Sequence, residues 1–155
     1  MVTFRIVNNG KPVLVDMDAF EQEADSEGHR YRIYPDEDFA KLDDEFHFDL
    51  DVCATASNAK CDKYFTIADD GLAQPWTGRV WCNPPHHNVR PWVEKACDGY
   101  SGFDVCVLRV PAATNKRWWQ ELVEPYRDLE RGRLTTRFLR ESFSPYPTAL
   151  LIWQG

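Results

Sequence analysis

No apolar run in the 155 residues approaches the roughly 18 needed for a membrane span, and Met1-Val2-Thr3-Phe4-Arg5 lacks the hydrophobic region of a signal peptide. These gaps argue against a membrane protein and for an intracellular one. The five cysteines (Cys53, Cys61, Cys82, Cys97, Cys106) are odd in number and form no CxxC pair. Three of them lie inside apolar runs, where a free thiol behaves as a small hydrophobe. A disulfide framework and a zinc site are both disfavoured. The four histidines add no ligand spacing, because only His86 and His87 are near one another.

Acids outnumber bases, 25 to 18. The net charge of −7 argues against a generic nucleic-acid coat, yet the charge is unevenly spread. Residues 1–50 carry 13 acids against 5 bases, whereas residues 109–140 carry 8 bases against 4 acids. An acidic protein with a local basic face is the result, unless those arginines only solvate a helix and a loop. With 43% hydrophobic and 28% charged residues the composition is globular, and the length suits one domain with few insertions.

What is present gathers on Arg79-Val80-Trp81-Cys82-Asn83-Pro84-Pro85-His86. An apolar run stops at an asparagine followed by two prolines. Proline fixes its own φ and holds the preceding residue extended, so Asn83 and Pro84 are both constrained, and neither proline can donate a backbone hydrogen bond. The strand therefore delivers a rigid tip of acceptors. Asn83 Oδ1 and the Pro84 carbonyl could each take one N–H of an exocyclic amine, although a strand ending in an ordinary Pro-Pro loop has the same local sequence.

The remaining elements alternate. Asn8-Asn9-Gly10 predicts a hairpin turn between strands at residues 4–7 and 12–15, and residues 16–30 read as an acidic connector poor in large apolar side chains. Pro35 and the acids after it open a helix ending near Phe46. A strand over residues 48–54 follows and runs out into Thr55-Ala56-Ser57-Asn58, with a short second strand expected at residues 63–66. Helices are expected at residues 88–99 and 116–126, and strands at residues 103–111, 131–138 and 149–153. Such alternation predicts an α/β fold, a mostly parallel sheet flanked by helices, with ligands beyond the carboxyl ends of the strands. There Asp51 could receive an ammonium or a ribose hydroxyl, or could simply hold a turn.

Taken in order, Phe48-Asp49-Leu50-Asp51-Val52-Cys53-Ala54, Asn58-Ala59-Lys60-Cys61, Tyr64-Phe65-Thr66, Asp70-Gly71-Leu72, Trp76 and Val80-Trp81-Cys82-Asn83-Pro84-Pro85 resemble the phage-type DNA N-6-adenine methyltransferase family. Trp92-Val93-Glu94-Lys95-Ala96, Val110-Pro111-Ala112 and Gly132-Arg133-Leu134 continue the resemblance, which spans about residues 31–153. It implies a Rossmann-like methyltransferase domain over residues 31–155, preceded by the hairpin and connector of residues 1–30. The implied reaction moves a methyl group from S-adenosylmethionine to the N6 amino group of adenine in DNA, in the cytoplasm of the bacterial host of a phage or prophage.

By the same resemblance Asn83, Pro84, Pro85 and His86 form the catalytic tip, and Tyr34, Pro35, Asp51, Ala54, Asp70 and Leu72 flank the cofactor. Lys116, Arg117, Arg131, Arg133, Arg137 and Arg140 would contact DNA phosphates and base edges. The family tip usually ends in tyrosine or phenylalanine, whose ring stacks on an extruded base; here the position is His86, a smaller platform. No glycine-rich turn follows the first core strand, and the length leaves no room for a large recognition domain. Two other outcomes stay open: a different base modification on the same scaffold, or a non-catalytic module whose acidic N-terminal region binds a partner protein.

Overall fold

The computed structural model describes residues 3–8, 11–16, 34–99, 102–140, 144 and 146–155. Strands β1 (Thr3–Asn8) and β2 (Lys11–Asp16) pair antiparallel with Asn8 opposite Lys11, the hairpin that Asn-Gly predicts. The acidic connector expected over residues 16–30 lies outside the described residues, apart from Asp16 at the end of β2.

Helix α1 (Asp36–Phe46) starts on an extended Pro35 and carries Asp36, Glu37 and Asp38 in its first turn, where negative charge meets the positive end of the helix dipole. It stops where His47 turns left-handed (φ 54°) and its N–H donates to the Asp43 carbonyl. The Asp43 carboxylate then accepts from the Phe48 N–H at 2.8 Å and directs the chain into the sheet.

That sheet has five strands, β3 (Leu50–Asp51), β4 (Gly78–Cys82), β5 (Phe103–Pro111), β6 (Leu134–Leu139) and β7 (Thr148–Gln154), in the order β3-β4-β5-β7-β6. β3, β4 and β5 are parallel, while β7 runs antiparallel to both β5 and β6. Four strands therefore share a direction and one opposes them, so the sheet is partly antiparallel where a mostly parallel one was expected. Reversal of β7 brings its first residue, Thr148, beside Pro111 and Leu139, at the edge where β4, β5 and β6 end.

Helices α2 (Arg90–Gly99) and α3 (Arg117–Leu122) cover one face and α1 the other. Period-two alternation divides the strands accordingly. Val80, Cys82, Cys106, Leu108, Val110 and Leu151 pack with Val93, Ala96 and Trp119, whereas Trp81, Val105, Val107, Leu150 and Ile152 pack with Tyr34, Phe39 and Phe46. The Trp81 ring is held among Tyr34, Phe39 and Phe48, with centroids 5.3 to 5.6 Å away. A side chain of that size, buried to 1% exposure, fixes α1 over the centre of the sheet.

Three elements differ from the sequence expectation for local reasons. The strand expected over residues 48–54 keeps only Leu50 and Asp51, because the Asp51 side chain accepts from the Cys53 N–H and turns the chain. The segment at residues 63–66 lies beside β3 through Asp51 and Tyr64, with hydrogen bonds from Asp51 N to Lys63 O and from Phe65 N to Asp51 O, but makes a single bridge and no strand. α3 ends at Leu122, short of Tyr126, since Pro125 disfavours helical backbone at Glu124 and residues 123–126 are turns.

Candidate active site at the carboxyl edge of the sheet

β4 ends at Cys82, so Asn83 is the first residue beyond the sheet, between the carboxyl ends of β3 and β5, with the start of β7 one strand further along. Pro84 is buried, Asn83 and Pro85 are half-buried, and the Pro85 carbonyl accepts from the Asn88 N–H to close the turn leading into α2. On the α1 side of this tip lies Arg109, fully buried in β5. Its Nη1 donates to Asn83 Oδ1 at 3.3 Å and faces His86 Nε2 at 3.4 Å, and its guanidinium lies 5.4 Å from the Tyr34 ring centroid. The other His86 nitrogen, Nδ1, is 2.5 Å from the Tyr146 hydroxyl, which hangs on the approach to β7. Asn83, His86, Arg109, Tyr34 and Tyr146 thus form one polar cluster over the buried Trp81.

On the α2 side the same tip borders a cavity of about 150 Å³, lined by residues 52–55, Asn58, residues 65–67, Asp70, Gly71, Pro85 and Trp92. Its walls are small side chains, the Phe65 and Trp92 rings and one exposed carboxylate, Asp70. The turn bearing Asp70 is pressed against the end of β3. Asp70 is left-handed (φ 55°), and a Cβ on Gly71 would lie 2.1 Å from the Val52 carbonyl oxygen, so only glycine fits. Trp76 Nε1 donates to the Gly71 carbonyl at 2.8 Å, and its ring stacks on Trp92. The cavity wall is therefore built from both ends.

Of the residues expected to flank a cofactor, Ala54 and Asp70 line this cavity. Asp51, Leu72, Tyr34 and Pro35 do not. Alternation explains Asp51: it shares the register of Trp81, on the α1 face, opposite the cavity. At 2% exposure its carboxylate accepts from the Cys53 N–H at 3.2 Å and the Lys60 N–H at 3.0 Å. Burial lifts its pKa to about 6 although both amides favour the charged form. Asp51 ties the 51–60 loop together, the turn-holding role that its position also allowed. Tyr34 packs under Arg109, and Pro35 caps α1.

The expected DNA-contacting residues separate. Lys116, Arg117 and Arg140 are exposed and follow β5 or β6, on the Asn83 edge; the Arg117 side chain is held by Glu121 at 2.5 Å. Arg131 and Arg133 precede β6 and lie at the opposite edge, around a groove with Cys97, Tyr126, Leu129 and Trp153. Arg137, midway along β6, is paired through both guanidinium nitrogens with Glu45 of α1 and stands over the Phe46 ring. The basic segment is therefore not one face. Sequence reasoning missed Arg109 and Tyr146. The available signals were a charge inside the apolar run of residues 105–110 and a tyrosine flanked by prolines just before the last strand.

Burial pushes the Cys61 thiol up to about 12 and Cys97 to about 11, with Cys82 and Cys106 raised well above the ordinary thiol value, and all five cysteines are free. Among the described residues no group of three or more His, Cys, Asp or Glu side chains could hold a metal ion, and no helix is long and apolar enough to cross a membrane.

A tip of fixed acceptors beside a small-residue cavity, at the carboxyl edge of an α/β sheet, is a site suited to group transfer onto an amine. Residues 24–138 match the model of the family described as DNA N-6-adenine-methyltransferase (Dam). The chain belongs to that family. It is 42% identical over 86 residues to a DNA N-6-adenine-methyltransferase of Haemophilus phage HP1 (strain HP1c1), covering 53% of this chain and 49% of the relative. It is 28% identical over 76 residues to a DNA N-6-adenine-methyltransferase of Escherichia phage T1, covering 48% of this chain and 32% of the relative. The chain thus spans half or less of the length of these curated relatives.

Proposed function

We propose that this chain transfers a methyl group from S-adenosylmethionine to the N6 amino group of adenine in DNA, on a Rossmann-like methyltransferase fold. The observation that carries the reading is Asn83-Pro84 standing between the polar cluster and the small-residue cavity. The strand order, with parallel β3, β4 and β5 joined to an antiparallel β7, and the names of both phage relatives support it.

The cavity residues fit part of such a cofactor. Ala54 leaves room for close approach, Gly71 lets the Asp70 turn press against Val52, Phe65 and Trp92 offer flat apolar faces, and the Asp70 carboxylate suits a hydroxyl or an ammonium. When bound, the cofactor supplies a methyl group on a sulfonium, an electrophile that needs only an aligned nucleophile. An adenine amine is a poor one, since its lone pair is delocalised into the ring. Asn83 Oδ1 and the Pro84 carbonyl accept its two N–H groups, favouring the pyramidal nitrogen whose lone pair can attack, and Pro85 holds the tip against the cavity. The target base must leave the duplex stack to reach them, at a cost of a few kcal/mol. Lys116, Arg117 and Arg140 meet phosphates on the same edge.

The test is nucleoside mass analysis of double- and single-stranded DNA incubated with the purified chain and S-adenosylmethionine. A gain of one methyl on adenine is expected; adenine left unmodified in every DNA overturns the reading. The engagement of His86 by Arg109 and Tyr146 favours one second reading, an altered base in the pocket, which the same spectrum would reveal as methylation elsewhere.

A further inference from the structure

We propose that Arg109 is the positioning residue of the tip, fixing the Asn83 carboxamide and holding His86 as a neutral imidazole with its proton on Nδ1. The inference rests on the reading of Asn83 as the amine acceptor. A guanidinium has donors only. At both of its contacts, 3.3 Å to Asn83 Oδ1 and 3.4 Å to His86 Nε2, the partner atom must therefore supply a lone pair. For Asn83 this selects the rotamer whose oxygen faces Arg109, and the second lone pair of that oxygen is the one an amine N–H would take. For His86 it places the lone pair on Nε2, so a neutral ring carries its proton on Nδ1 and donates to the Tyr146 oxygen at 2.5 Å. An imidazolium would instead turn an N–H toward a guanidinium.

Arg109 is itself fixed. It is fully buried, extends from a central strand between β4 and β7, and rests on the face of Tyr34, which packs on Trp81. Such a cation is oriented by walls on several sides, and it can set the geometry of two groups from different parts of the tip loop. Arg109 does not need to touch the base to act; it works through Asn83 and His86.

The state of His86 can be read without DNA or cofactor. In ¹⁵N-labelled full-length protein at about pH 7, long-range ¹H–¹⁵N spectra, with His86 assigned by comparison with His86→Gln, are expected to show a protonated Nδ1 and an unprotonated Nε2. An Nε2-protonated ring or an imidazolium in the wild-type protein overturns the proposal. Arg109→Met is expected to release the ring into a mixture of tautomers and to lower kcat by about 10- to 100-fold. KM for S-adenosylmethionine should stay within about twofold, and Arg109→Lys should recover part of kcat. Full activity in Arg109→Met, or a wild-type histidine spectrum in that variant, also overturns it. Should Arg109→Met fail to fold, the wild-type spectrum and Arg109→Lys decide: a Lys variant that folds with wild-type kcat and an altered His86 tautomer counts against the proposal. A chain that methylates no DNA but shows the expected tautomer defeats the functional reading alone, and one that methylates adenine with the other tautomer defeats this inference alone.

Discussion

The two edges of the sheet are built differently. At the carboxyl edge, parts of β4, β5 and the approach to β7 link Asn83 to Arg109, Arg109 to His86 and His86 to Tyr146 in one chain of polar contacts, beside a cavity whose wall tolerates only glycine at position 71. At the amino edge, Arg131 and Arg133 rim a groove with Tyr126 and Leu129, both of them more than half exposed. Both edges carry arginine. Among the described residues, Arg109 at the carboxyl edge is the one arginine fully buried, and it is aimed at Asn83 and His86, which is the difference between a surface that attracts and a site that orients.

The largest effect that could break this contrast is expected from Asn83→Ala. On the proposed reading it removes the amine acceptor, so N6-methyladenine formation measured by nucleoside mass should fall by about 10²- to 10³-fold. The buried Arg109 loses a hydrogen-bond partner as well, so the melting temperature should drop modestly while the protein stays folded. Gly71→Ala comes next. Its Cβ would collide with the Val52 carbonyl, and a loss of about 3 kcal/mol in urea unfolding is expected, together with weaker cofactor binding by calorimetry.

Asp51 gives a smaller effect with a defined sign. Its folded pKa, about 6, stands above the ordinary carboxylate value, so the native state binds the proton more tightly than the unfolded chain. Its contribution is therefore most favourable at pH below about 4 and falls as pH rises toward about 6, by roughly 3 kcal/mol across that window. Carboxyl-detected NMR should give a midpoint near 6 for this residue, and the pH dependence should be missing from Asp51→Ala.

The smallest effect separates the two edges most sharply. Replacing Lys116 or Arg140 with alanine should weaken DNA binding and lower the salt slope by about one each. The double change at Arg131 and Arg133 should leave binding within about twofold, as read by fluorescence anisotropy. Equal losses at the two edges would mean that DNA wraps the sheet.

What the sequence disclosed follows from the range of the forces involved. Proline constraints act on adjacent residues, so the Asn83-Pro84-Pro85 tip was legible, as were the hairpin and the long apolar strand β5. Asp51 was visible as an important acid, but the strand alternation that turns it away from the cavity needed the register with Trp81. Arg109 and Tyr146 matter through partners 26 and 60 residues away, and no local pattern encodes such pairs. The split of the basic segment likewise depends on where β6 begins and ends in the sheet. A reversed β7 was not foreseen, because one closing apolar run looks the same in either direction.

That reversal has a consequence for the order in which the protein matures. Tyr146 reaches His86 because the reversed β7 enters the sheet at the carboxyl edge, beside the tip and between two strands already laid down by the chain. During synthesis, at about 5 to 20 residues per second, the Asn83 tip emerges several seconds before its last partner. A nascent chain that has emitted β3, β4 and β5 still lacks the hydroxyl that faces His86 Nδ1. On the proposed reading activity should therefore arrive as a single late event, when the closing strand slots in, and a chain truncated before Tyr146, which lacks the strand joining β5 to β6 and the buried Leu150, Leu151 and Ile152, should transfer no methyl group.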